Sequence, residues 1–206
     1  MFARCTLGSF GIASKLSVCK NIASRACVAN VHTLNHIPIL NANMDSMRVY
    51  LEPSTGKKPT CSVIMLHGLG DTAFYMVPYA ADLSRSLPST RFICPTAHEI
   101  PLRCRQGALQ HAWFDFPAWS LEGNDDCKGV EESCEVVNSL IEKEIKKGVD
   151  PKHIILCGFS QGAGIALHAA FNRKDPIGGV IAFCGCLPNA SRFVVQDATK
   201  DTPVMY

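Results

Sequence analysis

Residues 154–164 read IILCGFSQGAG, an apolar run followed by a G-x-S-x-G motif and the small residues of a predicted helix. A serine hydroxyl is a weak nucleophile, so an enzyme must hold it exposed and close to a base. A sharp turn between a strand and a helix does this, and the flanking glycines leave room where a Cβ would clash. The five-residue motif alone also occurs by chance in glycine-rich loops, but its setting here predicts a nucleophile elbow with Ser160 as the nucleophile.

Strand and helix patterns alternate on both sides of this stretch. Helix patterns with apolar residues at steps of three and four alternate with short apolar runs. The predicted helices span residues 75–87, 126–147 and 161–172, and the predicted strands span 61–66, 91–94, 153–157, 179–183 and the start of one at 203–206. This alternation predicts an α/β fold with a mostly parallel sheet and helices on both faces. Residues 95–124 are predicted to be an irregular, functional loop.

Two regions of the chain differ in charge. Residues 1–44 contain four basic residues and no acidic one, together with several serines. That composition is typical of a mitochondrial transit peptide, although an unstructured leader or a start at Met44 or Met47 fits equally well. We therefore expect a leader over residues 1–44 and a hydrolase domain over residues 45–206.

The overall composition excludes several classes of partner. The formal net charge of +2 favours neither nucleic acid nor a charged membrane surface. The chain has no apolar run of about 18 residues, so no transmembrane segment is expected.

The eleven cysteines are scattered and follow no disulfide framework, which predicts reduced thiols and a cytoplasmic or mitochondrial protein. The pair Cys184 and Cys186 lacks a second ligand pair, so neither a metal nor a cofactor is predicted.

Stabilising a tetrahedral oxyanion requires two preorganised hydrogen-bond donors. The backbone N–H of Gln161 lies at the start of the predicted helix that follows the nucleophile and is the first candidate. The second should come from the loop after an earlier strand, and HGLG at residues 67–70 is such a loop. The N–H of Leu69 is the candidate there.

No histidine is well placed in the sequence to act as the base. In this architecture an acidic residue and then a histidine follow the nucleophile. The only histidine after the nucleophile is His168, which lies about 12 Å further along the same predicted helix and is interpreted as a core or helix-surface residue. His98 and His111 precede the nucleophile, and Asp197 and Asp201 have no histidine after them.

Residues 61–206 resemble the acyl-protein thioesterase and lysophospholipase group of small α/β-hydrolases. The matching motifs occur in the order of that family: VIMLHGLGDT (63–72), ICPTA (93–97), WFD (113–115), LIEKEIKKGVDPKHIILCGFSQGAG (140–164) and GGVIAFCGCLP (178–188). The resemblance implies Ser160 as the nucleophile, with Leu69 and Gln161 as oxyanion donors. It also implies an acyl groove near Trp113 and Phe114, with S-acylated proteins or lysolipid esters as substrates.

The sequence departs from the family pattern after Val204 and Met205. There the family has an HG-x-x-D stretch with the triad aspartate, and the triad histidine follows later; neither occurs in the 206 residues. We therefore expect a chain without the C-terminal strands and helix, and ester hydrolysis no faster than that of a Ser160→Ala variant. The alternative function is a non-catalytic acyl-binding or regulatory isoform.

Overall fold

The computed structural model of the protein describes residues 42–45, 47–119 and 125–206. Residues 1–41 of the predicted leader lie outside the described residues, and its targeting role stays a prediction. The last three residues of the predicted leader belong to a strand that begins at Ala42 and pairs with the next strand of the sheet.

The described residues form nine strands and three α-helices. The strands are β1 (Ala42–Asp45), β2 (Arg48–Leu51), β3 (Cys61–Leu66), β4 (Thr90–Pro95), β5 (Glu99–Leu102), β6 (Ala108–His111), β7 (Ile154–Phe159), β8 (Gly179–Phe183) and β9 (Val204–Met205). The helices are α1 (Ala73–Ser86), α2 (Val130–Lys146) and α3 (Gln161–Phe171). The order agrees with the predicted alternation from β3 onward.

Seven of these strands form one sheet in the order β1-β2-β4-β3-β7-β8-β9. The five strands from β4 to β9 in that order are parallel, whereas β1 and β2 are antiparallel to their neighbours. The prediction of a mostly parallel sheet is therefore confirmed. Because parallel strands share their direction, the loops after β3, β7 and β8 meet at one edge, which we call the carboxyl edge.

Helices cover both faces of this sheet. Alternate strand residues such as Ile64 and Leu156 join a core cluster with α2 and α3. The intervening strand residues, such as Val63 and Cys157, pack on the other face of the sheet and join a second cluster with α1. Burial on both faces explains why the strands are apolar runs rather than alternating patterns.

Two features of the fold differ from the sequence prediction. Residues 95–124 are not wholly irregular, because β5 and β6 pair as an antiparallel hairpin. Its turn contains Gln106 and Gly107, both with positive φ, and a turn of this kind gives no hydrophobic pattern. Helix α2 begins at Val130 rather than 126, because Lys128 pairs with Asp115 and Gly129 has φ 87°.

An ionic cluster around the buried Glu144 joins α2 to the opposite edge of the sheet, the amino edge. The Glu144 carboxylate accepts hydrogen bonds from Ser62 Oγ at 2.7 Å and from Lys147 Nζ at 3.0 Å. The Arg91 guanidinium bridges Glu144 at 2.9 Å and Glu52 at 2.8 Å. We call these five residues the amino-edge cluster.

In the part of the chain that the structure describes, no helix combines the length and the apolar character that crossing a membrane requires.

Candidate active site

Ser160 lies on a strained turn between β7 and α3. Its backbone has φ 52° and ψ −116°, a conformation that residues other than glycine seldom adopt. Its N–H donates to the carbonyl of Phe183, the last residue of the neighbouring strand β8, at 2.8 Å. The turn therefore places Ser160 at the carboxyl edge, as the elbow prediction requires.

The two glycines of the motif are required by close backbone contacts. A Cβ on Gly158 would lie 2.3 Å from the carbonyl oxygen of Gly162. A Cβ on Gly162 would lie 2.5 Å from the carbonyl oxygen of Leu66 in β3. Both distances are far shorter than any van der Waals contact, so a side chain at either position would displace the elbow from the sheet.

Two backbone N–H groups, one in the loop after β3 and one at the start of α3, have no protein acceptor among the described residues. Among the residues that the structure describes, neither Leu69 N–H nor Gln161 N–H donates a hydrogen bond to another protein group. The Gln161 N–H is in the first turn of α3, where the helix dipole favours negative charge. These are the two N–H groups predicted to bind the oxyanion, and that role stays a prediction.

The side chain of Gln161 joins the elbow to the segment after β6. Its Oε1 accepts from the N–H of Trp113 at 2.8 Å, and its Nε2 donates to the carbonyl of Phe114 at 2.7 Å. Both hydrogen bonds are buried and shielded from water, so each fixes the orientation of the groups that it joins. The residue that supplies one N–H group therefore also fixes the position of Trp113.

Trp113 in turn contacts the loop that contains Leu69. Its indole N–H donates to the carbonyl of His67 at 2.8 Å, and the two rings lie 5.1 Å apart. The carbonyl of Trp113 accepts from Ser133 Oγ in α2. These hydrogen bonds, which we call the Gln161–Trp113–His67 tie, connect Gln161 to the loop that contains Leu69.

The imidazole of His67 is held neutral in the core. Its Nδ1 donates to the carbonyl of Gly68 at 2.7 Å, and its Nε2 accepts from the N–H of Ala97 at 2.9 Å. Burial lowers the pKa of His67 from 6.5 to about 4, although the bond to Gly68 opposes the shift and His111 adds to it. His67 therefore shapes the loop as a hydrogen-bonding group and carries no charge at neutral pH.

Two further bonds fix the backbone of the same loop. The N–H of Gly70 donates to the carbonyl of His111 in β6 at 2.8 Å. The N–H of Ala73, at the start of α1, donates to Thr96 Oγ1 at 2.9 Å. The loop is thereby held by β6 and by the residue that follows β4.

Trp113 and Phe114, which were predicted to border the acyl groove, are both in the core. Their exposed fractions are 3% and 6%. Trp113 lines a cavity of about 680 Å³ between the end of β4 and α2, but neither Ser160 nor Leu69 is among its lining residues. The contacts of Trp113 are those of a residue that holds the site together, and substrate binding by Trp113 and Phe114 stays a prediction.

The histidines have other partners. His168 is buried in α3, with Nδ1 3.5 Å from Cys134 Sγ and its ring against Phe193, so its interpretation as a core residue is confirmed. His111 Nδ1 donates to the carbonyl of Ala97 at 2.8 Å. Within the described ranges, no histidine forms a hydrogen bond with the Ser160 side chain.

The sequence alone did not indicate a role for the His67 ring, the Gln161 amide or Thr96. One signal was present for His67, which directly follows the buried run VIML and so needs hydrogen-bond partners. The partners of Gln161 are 48 and 47 residues away along the chain, and no local pattern reveals such a contact. Across the described residues, no group of three metal-ligating side chains lies together.

Comparison with known proteins identifies the family. The model of the phospholipase/carboxylesterase family matches residues 52–206. Acyl-protein thioesterase 1 of Cryptococcus neoformans var. neoformans serotype D is 33% identical over 162 residues, covering 76% of this chain and 68% of that protein. Acyl-protein thioesterase 1 homolog 1 of Dictyostelium discoideum is 32% identical over 149 residues, covering 71% of this chain and 66% of that protein.

Solved structures support the same assignment. Arabidopsis thaliana SOBER1 superposes with a TM-score of 0.64 and 27% identity, over 70% of this chain and 71% of that one. Zea mays acyl-protein thioesterase 2 superposes with a TM-score of 0.54 and 25% identity, over 70% of this chain and 64% of that one. The agreement of family match, relatives and fold shows that this chain belongs to the phospholipase/carboxylesterase family of α/β-hydrolases.

Proposed function

We propose that this hydrolase cleaves thioesters or carboxylic esters through an acyl-enzyme on Ser160, with S-acylated cysteines of proteins as its main substrates. The relatives named acyl-protein thioesterase support a thioester substrate. Lysolipid esters are a second class of substrate that the same chemistry would accept. The leaving group differs between the two classes, but the attacked acyl carbonyl is the same.

In the proposed reaction, Ser160 Oγ attacks the acyl carbonyl carbon and gives its proton to a base. The carbonyl oxygen becomes an oxyanion that accepts hydrogen bonds from the N–H groups of Leu69 and Gln161. The bond to the leaving thiol or alcohol then breaks, and the leaving group takes the proton. Water attacks the resulting ester, releases the fatty acid and restores the serine.

One observation carries this proposal: Ser160 has a strained positive φ between two glycines that admit no side chain. Strain of this kind persists only where the surrounding structure enforces it, and it concentrates at functional sites. The N–H group of Gln161 at the start of α3 and that of Leu69 in the loop after β3 have no protein acceptor among the described residues, which supports an oxyanion site.

A second candidate function is acyl binding without turnover. It is favoured by the observation that His67, His111 and His168 are each engaged by groups other than Ser160. In that case an acyl chain would bind near the elbow, but no proton would leave Ser160.

A kinetic experiment distinguishes the two functions. The full chain is mixed with p-nitrophenyl octanoate and with an S-octanoyl thioester, and product release is compared with that of Ser160→Ala. Ester hydrolysis predicts release that depends on Ser160, at least as a first acylation burst. Equal rates for the two proteins, together with saturable binding of a fluorescent fatty acid, would instead establish the acyl-binding function.

We further propose a cytoplasmic location, with mitochondria as the alternative if residues 1–44 act as a transit peptide. Fusion of residues 1–44 to a fluorescent protein tests this directly. Diffuse fluorescence supports the cytoplasm, and mitochondrial fluorescence supports the alternative.

A further inference from the structure

Two exposed thiols follow strand β8 at the carboxyl edge. Cys184 and Cys186 are exposed, whereas the other six cysteines in the described residues are buried or half-buried. A single glycine separates the two. The two Cα atoms are therefore no more than about 7 Å apart, so one small molecule can react with both thiols in turn.

The segment that carries these thiols packs directly against the nucleophile turn. A Cβ on Gly185 would lie 2.6 Å from the carbonyl oxygen of Ser160 and 2.5 Å from the Cβ of Ala163. The carbonyl oxygen of Cys186 approaches Gly164 in the same way, at 2.5 Å from the position of a Cβ there. The segment and the elbow are in close contact, with no room for an added Cβ. Movement of Gly185 therefore shifts the elbow residues that it touches.

Cys184 is also strained. Phe183 pairs with Phe159 in the register of β8 and β7, so Cys184 and Ser160 are the next residues of two adjacent strands. Both have φ 52°, and neither is a glycine. A change in the backbone conformation of Cys184 would therefore take place next to Ser160. It can relieve backbone strain that is present in the reduced protein.

We propose that Cys184 and Cys186 form a thiol modification site that a low-molecular-weight disulfide, such as glutathione disulfide, oxidises to an intramolecular disulfide. The first thiolate attacks the small disulfide and releases one thiol molecule. The second thiolate then attacks the mixed disulfide and releases another. Two protein thiols are oxidised, one small disulfide is reduced to two thiols, and no other reactant is needed.

The geometry of a disulfide links this modification to the nucleophile. The two Cβ atoms must come within about 3.5–4.5 Å, and the backbone between them has to bend. Gly185 is the residue that can bend, because it has no Cβ. Its carbonyl accepts a hydrogen bond from the Tyr206 hydroxyl, and its Cα faces Ser160, so the bend shifts the contact with the elbow.

The test follows the thiols and the elbow separately from hydrolysis. The full chain is treated with glutathione disulfide, free thiols are alkylated, and peptides are mapped by mass spectrometry. We expect Cys184 and Cys186 to be joined without bound glutathione. Hydrogen exchange is then measured for residues 158–166, because the N–H groups of Ala163 and Gly164 donate to the Ser160 carbonyl. We expect several-fold faster exchange in the oxidised protein.

Three variants complete the experiment. Cys184→Ser and Cys186→Ser should each carry one glutathione and keep the exchange rate of the reduced protein. Cys104→Ser, which removes a half-buried thiol elsewhere, should behave like the original protein. The proposal is wrong if both thiols stay free, if each carries its own glutathione, if either pairs with another cysteine, or if disulfide formation leaves the elbow exchange unchanged.

Discussion

The amino edge of the sheet is held by charges, whereas the Gln161–Trp113–His67 tie at the carboxyl edge consists of neutral hydrogen bonds. In the amino-edge cluster, a buried Glu144 is matched by Arg91, Lys147 and Ser62. In the Gln161–Trp113–His67 tie, every partner is an amide, an indole, a neutral imidazole or a backbone group. The two edges therefore respond differently to substitution and to pH.

The difference follows from what each edge has to do. A buried ion pair fixes helix α2 on the sheet, and its charges compensate each other. A fixed charge next to the elbow would instead compete with the charge that develops on a substrate. Neutral donors and acceptors hold the loops in place. The N–H groups of Leu69 and Gln161 then supply the partial positive charge that an oxyanion would meet. Substitutions at the carboxyl edge should therefore alter reactivity, and those at the amino edge should alter stability.

The largest effect is expected for Ser160→Ala. If Ser160 is the nucleophile, the substitution abolishes the acylation burst, whereas steady-state ester hydrolysis, which is expected to be no faster in this chain than in Ser160→Ala, should change little. Release of p-nitrophenol from p-nitrophenyl octanoate measures both. Ser139→Ala, on the exposed side of α2, is the control and should keep the original burst of p-nitrophenol. An unchanged burst in Ser160→Ala would show that another residue is the nucleophile.

The second largest effect is expected for Glu144→Gln at the amino edge. Loss of the buried charge leaves Arg91 and Lys147 with less compensation and should lower the free energy of unfolding by about 3 kcal/mol. Urea denaturation measures this change, with the exposed Glu135→Gln as the matched control. The folded Glu144→Gln protein should retain its Ser160 acylation rate, and a large loss of that rate would remove the distinction between the edges.

A smaller effect is expected for Trp113→Phe at the carboxyl edge. The ring is retained, but the carbonyl of His67 loses its donor, which costs about 1–3 kcal/mol for a buried acceptor. We also expect slower acylation of Ser160, because the tie no longer fixes the loop. Trp119→Phe is the control, since Trp119 is 63% exposed. Equal acylation rates for the two variants would show that the tie does not position the site.

The last prediction separates the two edges by the pH at which each loses stability. Burial lowers the pKa of His67 to about 4 from 6.5, so the unfolded chain binds a proton first and stability falls as pH drops from 6.5 toward 4. The slope per histidine is up to about 1.4 kcal/mol per pH unit. His168, whose pKa burial also lowers despite the nearby Glu131, adds a loss of stability of the same sign as the pH falls below 6.5.

Glu144 acts in a lower range of pH. Burial alone would raise its pKa, but the bonds from Ser62 and Lys147 and the charge of Arg91 outweigh burial, so its pKa lies below 4.5. Its contribution is therefore complete above pH 4.5 and disappears as pH falls through the folded value. Denaturation at several pH values should show a shallower slope between 6.5 and 4.5 for His67→Asn and an unchanged slope for Glu144→Gln. The reverse pattern would contradict these pKa assignments.

Much of the fold was predictable because strands buried on both faces are apolar runs. The predicted strand at 179–183 and helix at 161–172 agree with β8 and α3 to within one residue. Strands β1 and β2 were missed because each is only four residues long. They are the first two strands on one side of the sheet, where packing produces little hydrophobic pattern. The β5–β6 hairpin was missed because its turn residues, not its apolar residues, define it.

The site was predictable only where the chemistry is local. Ser160 and its two glycines are adjacent in sequence, and their strained turn has a signature of five residues. The contact between Gln161 and Trp113 depends on how the segment after β6 lies against the start of α3, and no short sequence pattern encodes that arrangement. The same holds for Cys184 and Cys186, whose closeness to Ser160 comes from the pairing of β7 with β8.

The most direct test of the central claim is to locate the acyl group after a brief reaction. The full chain is mixed with p-nitrophenyl octanoate and quenched with acid, and its peptides are mapped by mass spectrometry. We predict one octanoyl group on Ser160, less of it in Trp113→Phe, an unchanged amount in Glu144→Gln and none in Ser160→Ala. An octanoyl group on Cys184 or another residue, or no acyl group on any peptide, would contradict this prediction.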